Sequence, residues 1–113
     1  MFALLPWGVH AETIRLYDAM ECGAIPVLAG KHPFLQKMAD AVGEPGGLPP
    51  FVFLDSWDDL VPYIRGLTQD LQLRRQTTLR ALASTQKRVI TFWKDFQRVQ
   101  QLQIRDLIDS HFT

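Results

Sequence analysis

An internal disulfide is closed to this chain of 113 residues, because it contains a single cysteine, Cys22. No cysteine and histidine cluster has the spacing of zinc ligands, which removes a structural zinc site as well. Net charge is also missing. Twelve Lys+Arg balance 12 Asp+Glu, and no block of one sign interrupts the sequence. That takes away the main electrostatic footing for nucleic acid or an anionic membrane. No apolar run approaches the ~18 residues of a membrane span, and residues 1–6 lack the basic start of a secretory signal. Neither a Ser/His/Asp order nor a phosphate-binding glycine loop occurs. What remains is 47% apolar residues, the content of a folded globular protein no larger than one ordinary domain.

The apolar patterning predicts an α/β plan. Residues 2–5 read as a strand that ends at Pro6-Trp7-Gly8. Residues 12–22 read as a helix with Leu16, Ala19, Met20 and Gly23 on one face and Ile14, Tyr17 and Glu21 on another. Gly23 suits the left-handed position just past the helix end, and Cys22 beside it reads as a small apolar filler. Residues 24–29 form a strand that is apolar on both faces, the signature of burial in a parallel sheet. Pro26 requires a position near the start or the edge of that strand. A short helix over residues 34–42, ended by Gly43, precedes a third strand at residues 51–54. Ser56 or Asp58 caps the next helix, with Asp59 in its positive first turn, and Leu60, Tyr63, Ile64 and Leu67 form its buried stripe. From Asp70 on, everything reads as helix. Leu79, Leu82, Gln86, Val89, Trp93, Phe96 and Val99 recur at steps of three and four, a seam better suited to packing on a parent domain than to a coiled coil. Three visible strands are few for a parallel sheet, which predicts a fragment of a larger protein.

Ligands of such folds settle outside the carboxyl ends of the strands, where loops enter helices. The turn from Pro6 to Ala11 is such a loop. Gly8 permits close backbone approach, and free N–H groups near Glu12 and Thr13 can point at phosphate oxygens. Arg15 offers a planar fork to a diphosphate, and Asp18 can meet Arg15 or a ribose. A carboxylate accepting from a ribose hydroxyl contributes roughly 1.5–3 kcal/mol per bond. Spacing alone favours a plainer reading, in which Glu12, Arg15 and Asp18 form a solvated ladder worth ~0.2–0.5 kcal/mol per pair. His10 alone likewise reads as an ordinary loop histidine.

The whole string shifts that balance. Phe2-x-Leu4-x-Pro6-x-Gly8, then Glu12-Thr-x-Arg15-Leu-Tyr-Asp18-Ala-Met-Glu-Cys-Gly23-Ala-Ile-Pro26-Val27, resembles the C-terminal half of exostosin-like glycosyltransferases. Pro49-Pro-Phe51 and Ser56-Trp57-Asp-Asp-Leu60 resemble the next strand and helix of that family. The resemblance covers roughly residues 2–67 and is general in character beyond them.

It implies a two-domain GT-B enzyme. Residues 1–67 would supply a partial, Rossmann-like donor-binding domain and residues 68–113 a helical extension. The missing N-terminal domain would be its partner, and this chain alone would be inactive. By the resemblance, Asp18 would hold the ribose of a nucleotide-sugar, usually UDP-linked, with Arg15 on the diphosphate. Gly8, His10, Glu12 and Thr13 would complete the donor site. Asp stands at position 18 where Glu is commoner, so its reach is one methylene shorter. The sugar would pass to a glycan acceptor without a bound metal or other cofactor, in relatives that often work in the Golgi lumen. Two rival readings stay open. A fucosyltransferase-like enzyme would take a GDP-sugar. A noncatalytic module would bind a partner through Leu82, Val89, Trp93 and Phe96.

Overall fold

The computed structural model describes residues 2–5, 11–30, 33–43 and 48–112, with the backbone alone at 11–14 and 112. Strands β1 (Phe2–Leu4), β2 (Ile25–Ala29) and β3 (Val52–Leu54) form a three-stranded parallel sheet in the order β1-β2-β3. Leu4 pairs with Val27, and Val27 in turn with Val52. Helix α1 (Ala11–Glu21) crosses from β1 to β2, and α2 (Pro33–Val42) crosses from β2 to β3. Helices α3 (Leu60–Leu73) and α4 (Arg75–Phe112) follow. This is the α/β architecture that the patterning predicts, long terminal helix included.

Every residue of β2 is buried, as a central strand apolar on both faces must be. Pro26 is tolerated there for a directional reason. The Leu5 N–H donates to the Val27 carbonyl, so Val27 turns its polar groups toward β1. Neighbouring residues alternate, so Pro26 faces the β3 side. Since β3 begins at Val52, opposite Val27, the missing N–H falls just before that ladder starts. Position along the strand, rather than placement at the sheet edge, is what accommodates the proline.

Helix α1 ends in a Schellman turn. The Ala24 N–H reaches the Ala19 carbonyl at 2.9 Å and the Gly23 N–H reaches that of Met20 at 3.0 Å, with Gly23 at φ 74°. Cys22 is exposed here, contrary to the apolar-filler expectation. It shares the outward face of α1 with Arg15 and Asp18, while Leu16, Ala19 and Met20 point inward.

One face of the sheet is covered by α1, α2 and the middle of α4. Leu16, Met20, Ile25, Leu28, Leu35, Met38, Phe51, Val89, Phe92, Trp93 and Phe96 form a single buried cluster. Phe92, absent from the expected seam, is among the most deeply buried of them. A seam one row wide is too narrow for α4, which is contacted by α1, α2 and β2 and so buries a broader arc. Its Phe92 ring meets Phe51 edge-on at 5.7 Å. The Gln86 amide donates to the Gly23 carbonyl at 2.6 Å, tying the helix to the end of α1. Leu79, the first residue of the expected seam, is exposed, because α4 has not yet reached the sheet at that point.

These contacts correct the partner-module reading. Val89, Trp93 and Phe96 are buried and Leu82 packs against the same cluster, so none of the four is left for an outside partner.

The opposite face carries Val27, Ala29 and Leu54 under Trp57, Leu60 and Tyr63. A capping box precedes α3. Ser56 Oγ accepts from the Asp58 N–H at 3.0 Å and the Asp59 carboxylate accepts from the Ser56 N–H at 3.3 Å. The expected stripe of α3 holds for Leu60, Tyr63 and Leu67, which are half-buried, and fails at Ile64, which is 47% exposed. Tyr63 already meets Phe2 edge-on at 6.3 Å, at the amino end of β1. Past it, α3 runs off the sheet. The helical run from Asp70 on is divided at Arg74 (φ −139°, ψ 55°) between α3 and α4.

Two consequences are measurable. Phe92→Ala should cost about 3–5 kcal/mol, seen as a lower midpoint in urea denaturation. Burial raises the Tyr63 phenol above its ordinary 10.0. The fold therefore favours its neutral form, so this contribution is intact below pH 10 and lost as pH rises through the folded-state value. Tyr63→Phe should flatten that alkaline decline when denaturation is compared at about pH 8 and about pH 11.

Candidate functional site

Because β1 and β2 are parallel, the amino end of α1 lies at the carboxyl edge of the sheet, the edge at which open α/β folds take ligands. Unpaired N–H groups of a first helical turn carry partial positive charge there. Glu12 and Thr13 belong to that first turn of α1. Arg15 follows in the second turn, with Asp18 three residues on. Both are exposed, and no described residue pairs with either side chain. Gly8 and His10 lie outside the described residues. Four of the six expected donor-binding residues thus fall on one helix, two of them side by side on its solvent face.

What fixes that orientation is aromatic. Tyr17 lies 5.0 Å from the Trp93 ring, 6.1 Å from Phe96 and 6.5 Å from Phe34. The Trp93 indole N–H donates to the Glu21 carboxylate. With Leu16, Ala19 and Met20 inside, α1 cannot rotate, and Arg15 and Asp18 must face outward. Arg15 is the one Lys or Arg in the first thirty residues. It is thus the single basic side chain that this stretch can offer an anion.

Other residues share the carboxyl edge and were not singled out from sequence. Gly30 follows β2 at φ 83°, and its N–H donates to the Leu54 carbonyl at 3.0 Å. Asp55, exposed, follows β3. The Trp57 indole N–H is buried and meets no acceptor among the described residues. Their signal was available, since each follows a strand just as Gly8 follows the first. Away from this edge, Ser84, Lys87, Arg88, Thr91, Phe92 and Asp95 line an open concavity of about 460 Å³ on the flank of α4. It lies in the basic half of the chain. Residues 65–113 hold nine Lys+Arg against four Asp+Glu, whereas residues 1–64 hold three against eight. The overall charge balance conceals this split. Among the described residues, no group of three or more His, Cys, Asp or Glu could hold a metal ion. No described helix is long and apolar enough to cross a membrane.

Comparison with known proteins places this parallel α/β unit among kin of glycosyltransferases. The chain belongs to the RXYLT1 C-terminal domain family, which it matches over residues 1–113. It is 26% identical over 116 residues to ribitol-5-phosphate xylosyltransferase 1 of Danio rerio, an alignment covering 96% of this chain and 24% of that protein. The chain therefore spans about a quarter of its relative's length. No solved structure is a significant match.

Proposed function

We propose that residues 1–67 form the nucleotide-sugar-binding part of a glycosyltransferase of exostosin-like architecture, braced by residues 68–113. The parent enzyme would move xylose from a UDP-linked donor to a ribitol-phosphate acceptor. One observation carries this reading. The amino end of α1 opens at the carboxyl edge of the sheet with Arg15 and Asp18 side by side in solvent, in a chain whose kin include a xylosyltransferase. That kinship also favours a UDP-sugar over the GDP-sugar of a fucosyltransferase.

The chemistry follows from the residue types. The acceptor hydroxyl attacks the anomeric carbon, the bond from that carbon to the diphosphate breaks, and the hydroxyl proton passes to a base supplied outside this chain. Charge accumulates on the departing diphosphate as the bond lengthens. First-turn N–H groups near Glu12 and Thr13, with the Arg15 guanidinium, stabilise that charge more than they stabilise the ground state, which is what lowers the barrier. Asp18 accepts from the ribose hydroxyls and fixes the nucleotide along α1. Gly8 and His10, which lie outside the described residues, would complete the donor site by the family resemblance. The preceding part of the polypeptide would bring the acceptor and the facing wall of the cleft.

Asp18→Ala and Arg15→Ala in the parent enzyme should each weaken UDP binding about tenfold or more, equivalent to about 1.4 kcal/mol per tenfold. Both side chains are exposed, so the melting temperature should not move. Calorimetry returning the parental affinity for both variants would sink the assignment. Equal affinity for GDP would return the fucosyltransferase reading.

A further inference from the structure

The outward face of α4 is strongly basic. Residues 75–105 hold seven Lys+Arg against one acid, Asp95. Five of the seven, Arg80, Lys87, Lys94, Arg98 and Arg105, follow one another at steps of seven or four. At about 100° per residue those steps keep all five within a sector of roughly 40°. The sector lies across the helix from buried Val89, Phe92 and Phe96, and each of the five cations is exposed. No described residue pairs with any of them. They form a ridge about 37 Å long at 1.5 Å per residue.

Small or polar side chains, Ala83, Ser84, Thr91 and Gln101, stand between the cations. Two shallow concavities open along the ridge. In the one of about 460 Å³, Ser84 and Thr91 flank Lys87 one turn to either side. The other, of about 260 Å³, is lined by Arg98, Gln101, Leu102 and Arg105. A helix face that meets only water interleaves acids with its bases, because opposite charges one turn apart stabilise a helix and like charges destabilise it. Here Lys94 and Arg98 stand one turn apart and repel, and no acid lies between Arg80 and Arg105 in the sector.

The ridge also has a direction. Gln86 bonds Gly23 at the end of α1, whereas Trp93 and Phe96 pack on Tyr17 further toward its start. Helix α4 thus runs antiparallel to α1, and Arg98 and Arg105 lie toward the sheet edge at which α1 opens.

We propose that this ridge binds the phosphate-bearing stem of the glycan acceptor, holding it by charge along α4 while its terminal hydroxyl enters the donor cleft. The inference rests on the reading of a ribitol-phosphate acceptor given above. A line of cations spaced by small, hydrogen-bonding residues suits a flexible linear polyanion, whose groups can shift to meet each charge. Cations that neutralise phosphates release the counterions those phosphates had gathered, which drives binding and makes it salt-dependent. The Ser84 and Thr91 hydroxyls and the Gln101 amide can donate to phosphate or polyol oxygens beside them. A folded protein partner suits the ridge poorly. Protein interfaces form around buried aromatic or aliphatic anchors, and the sector offers none from Arg80 to Arg98.

Calorimetry on the parent enzyme with poly(ribitol phosphate) as the probe tests the proposal. Lys87→Gln, Lys94→Gln and Arg98→Gln combined should weaken binding at least tenfold and make its salt dependence shallower. All three side chains are exposed, so the melting temperature should not move. Arg65→Gln, Arg74→Gln and Arg75→Gln combined remove the same charge away from the ridge and should change the affinity less than twofold. Parental affinity in the ridge variant overturns the proposal, as does a parent that ignores the polymer. An equal loss in both variants overturns it too, since net charge alone would then be responsible. Phosphatidylserine vesicles that bind through the ridge where the polymer does not would reassign it to a membrane and overturn the glycan. UDP binding on the same samples separates this idea from the donor site. A parent that binds UDP while the ridge variant keeps its polymer affinity loses the ridge alone. A ridge-dependent polymer affinity without UDP binding loses the donor-site reading alone.

Discussion

A parallel strand that is apolar on both faces needs cover above and below, and the rest of this molecule follows from how β2 obtains it. On one side the cover is local, from α3 and the capping turn that follows β3. On the other it comes from residues 86–96, which lie more than sixty positions away in sequence from the α1–β2 turn they seal. Phe92 and Phe96 fill the space over the sheet, while Trp93 and Gln86 hold α1 by a side chain and a carbonyl. Without that helix segment, the sheet would present Leu28 and Ile25 to water at roughly 25 cal/mol per Å² of apolar surface.

The same packing sets the geometry of the candidate site. Helix α1 has no choice of rotation once Tyr17 is enclosed by aromatic rings and Glu21 accepts from Trp93. A donor-binding role for Arg15 and Asp18 therefore depends on an aromatic cluster that touches neither. The two faces of the helix are separate, with apolar residues at 16, 19 and 20 buried and the charged residues at 15 and 18 exposed, as the proposed donor-binding role requires.

Much of this was legible from residue order. Alternation and punctuation located all three strands, because each is a short apolar run closed by glycine, proline or serine. Gly23 and Gly43 marked two helix ends through the left-handed conformation they adopt. Three of the failures share one cause. Helical periodicity puts Ile64 and Leu79 in buried stripes and leaves Phe92 out of one, because it says which side chains share a face and is silent on where the partner surface begins and ends. Ile64 lies beyond the sheet, Leu79 lies before it, and Phe92 is reached from a second side. The break at Arg74 carries neither glycine nor proline, so no punctuation announced it. At the site, the shared solvent face of Arg15 and Asp18 is legible from their spacing. Gly30 and Asp55 each follow a strand, a signal present in the sequence, but that these strand ends share one edge follows only from the parallel sheet.

The bonds from Gln86 to Gly23 and from Trp93 to Glu21 close loops of 63 and 72 residues. Contacts so far apart in sequence form late, since a long loop must be closed before it yields any stabilisation. During synthesis, β2 leaves the ribosome while the aromatic helix that will cover it has yet to be made. Between the synthesis of β2 and that of residues 86–96 the nascent chain therefore carries an uncovered apolar strand, which leaves it open to misassociation.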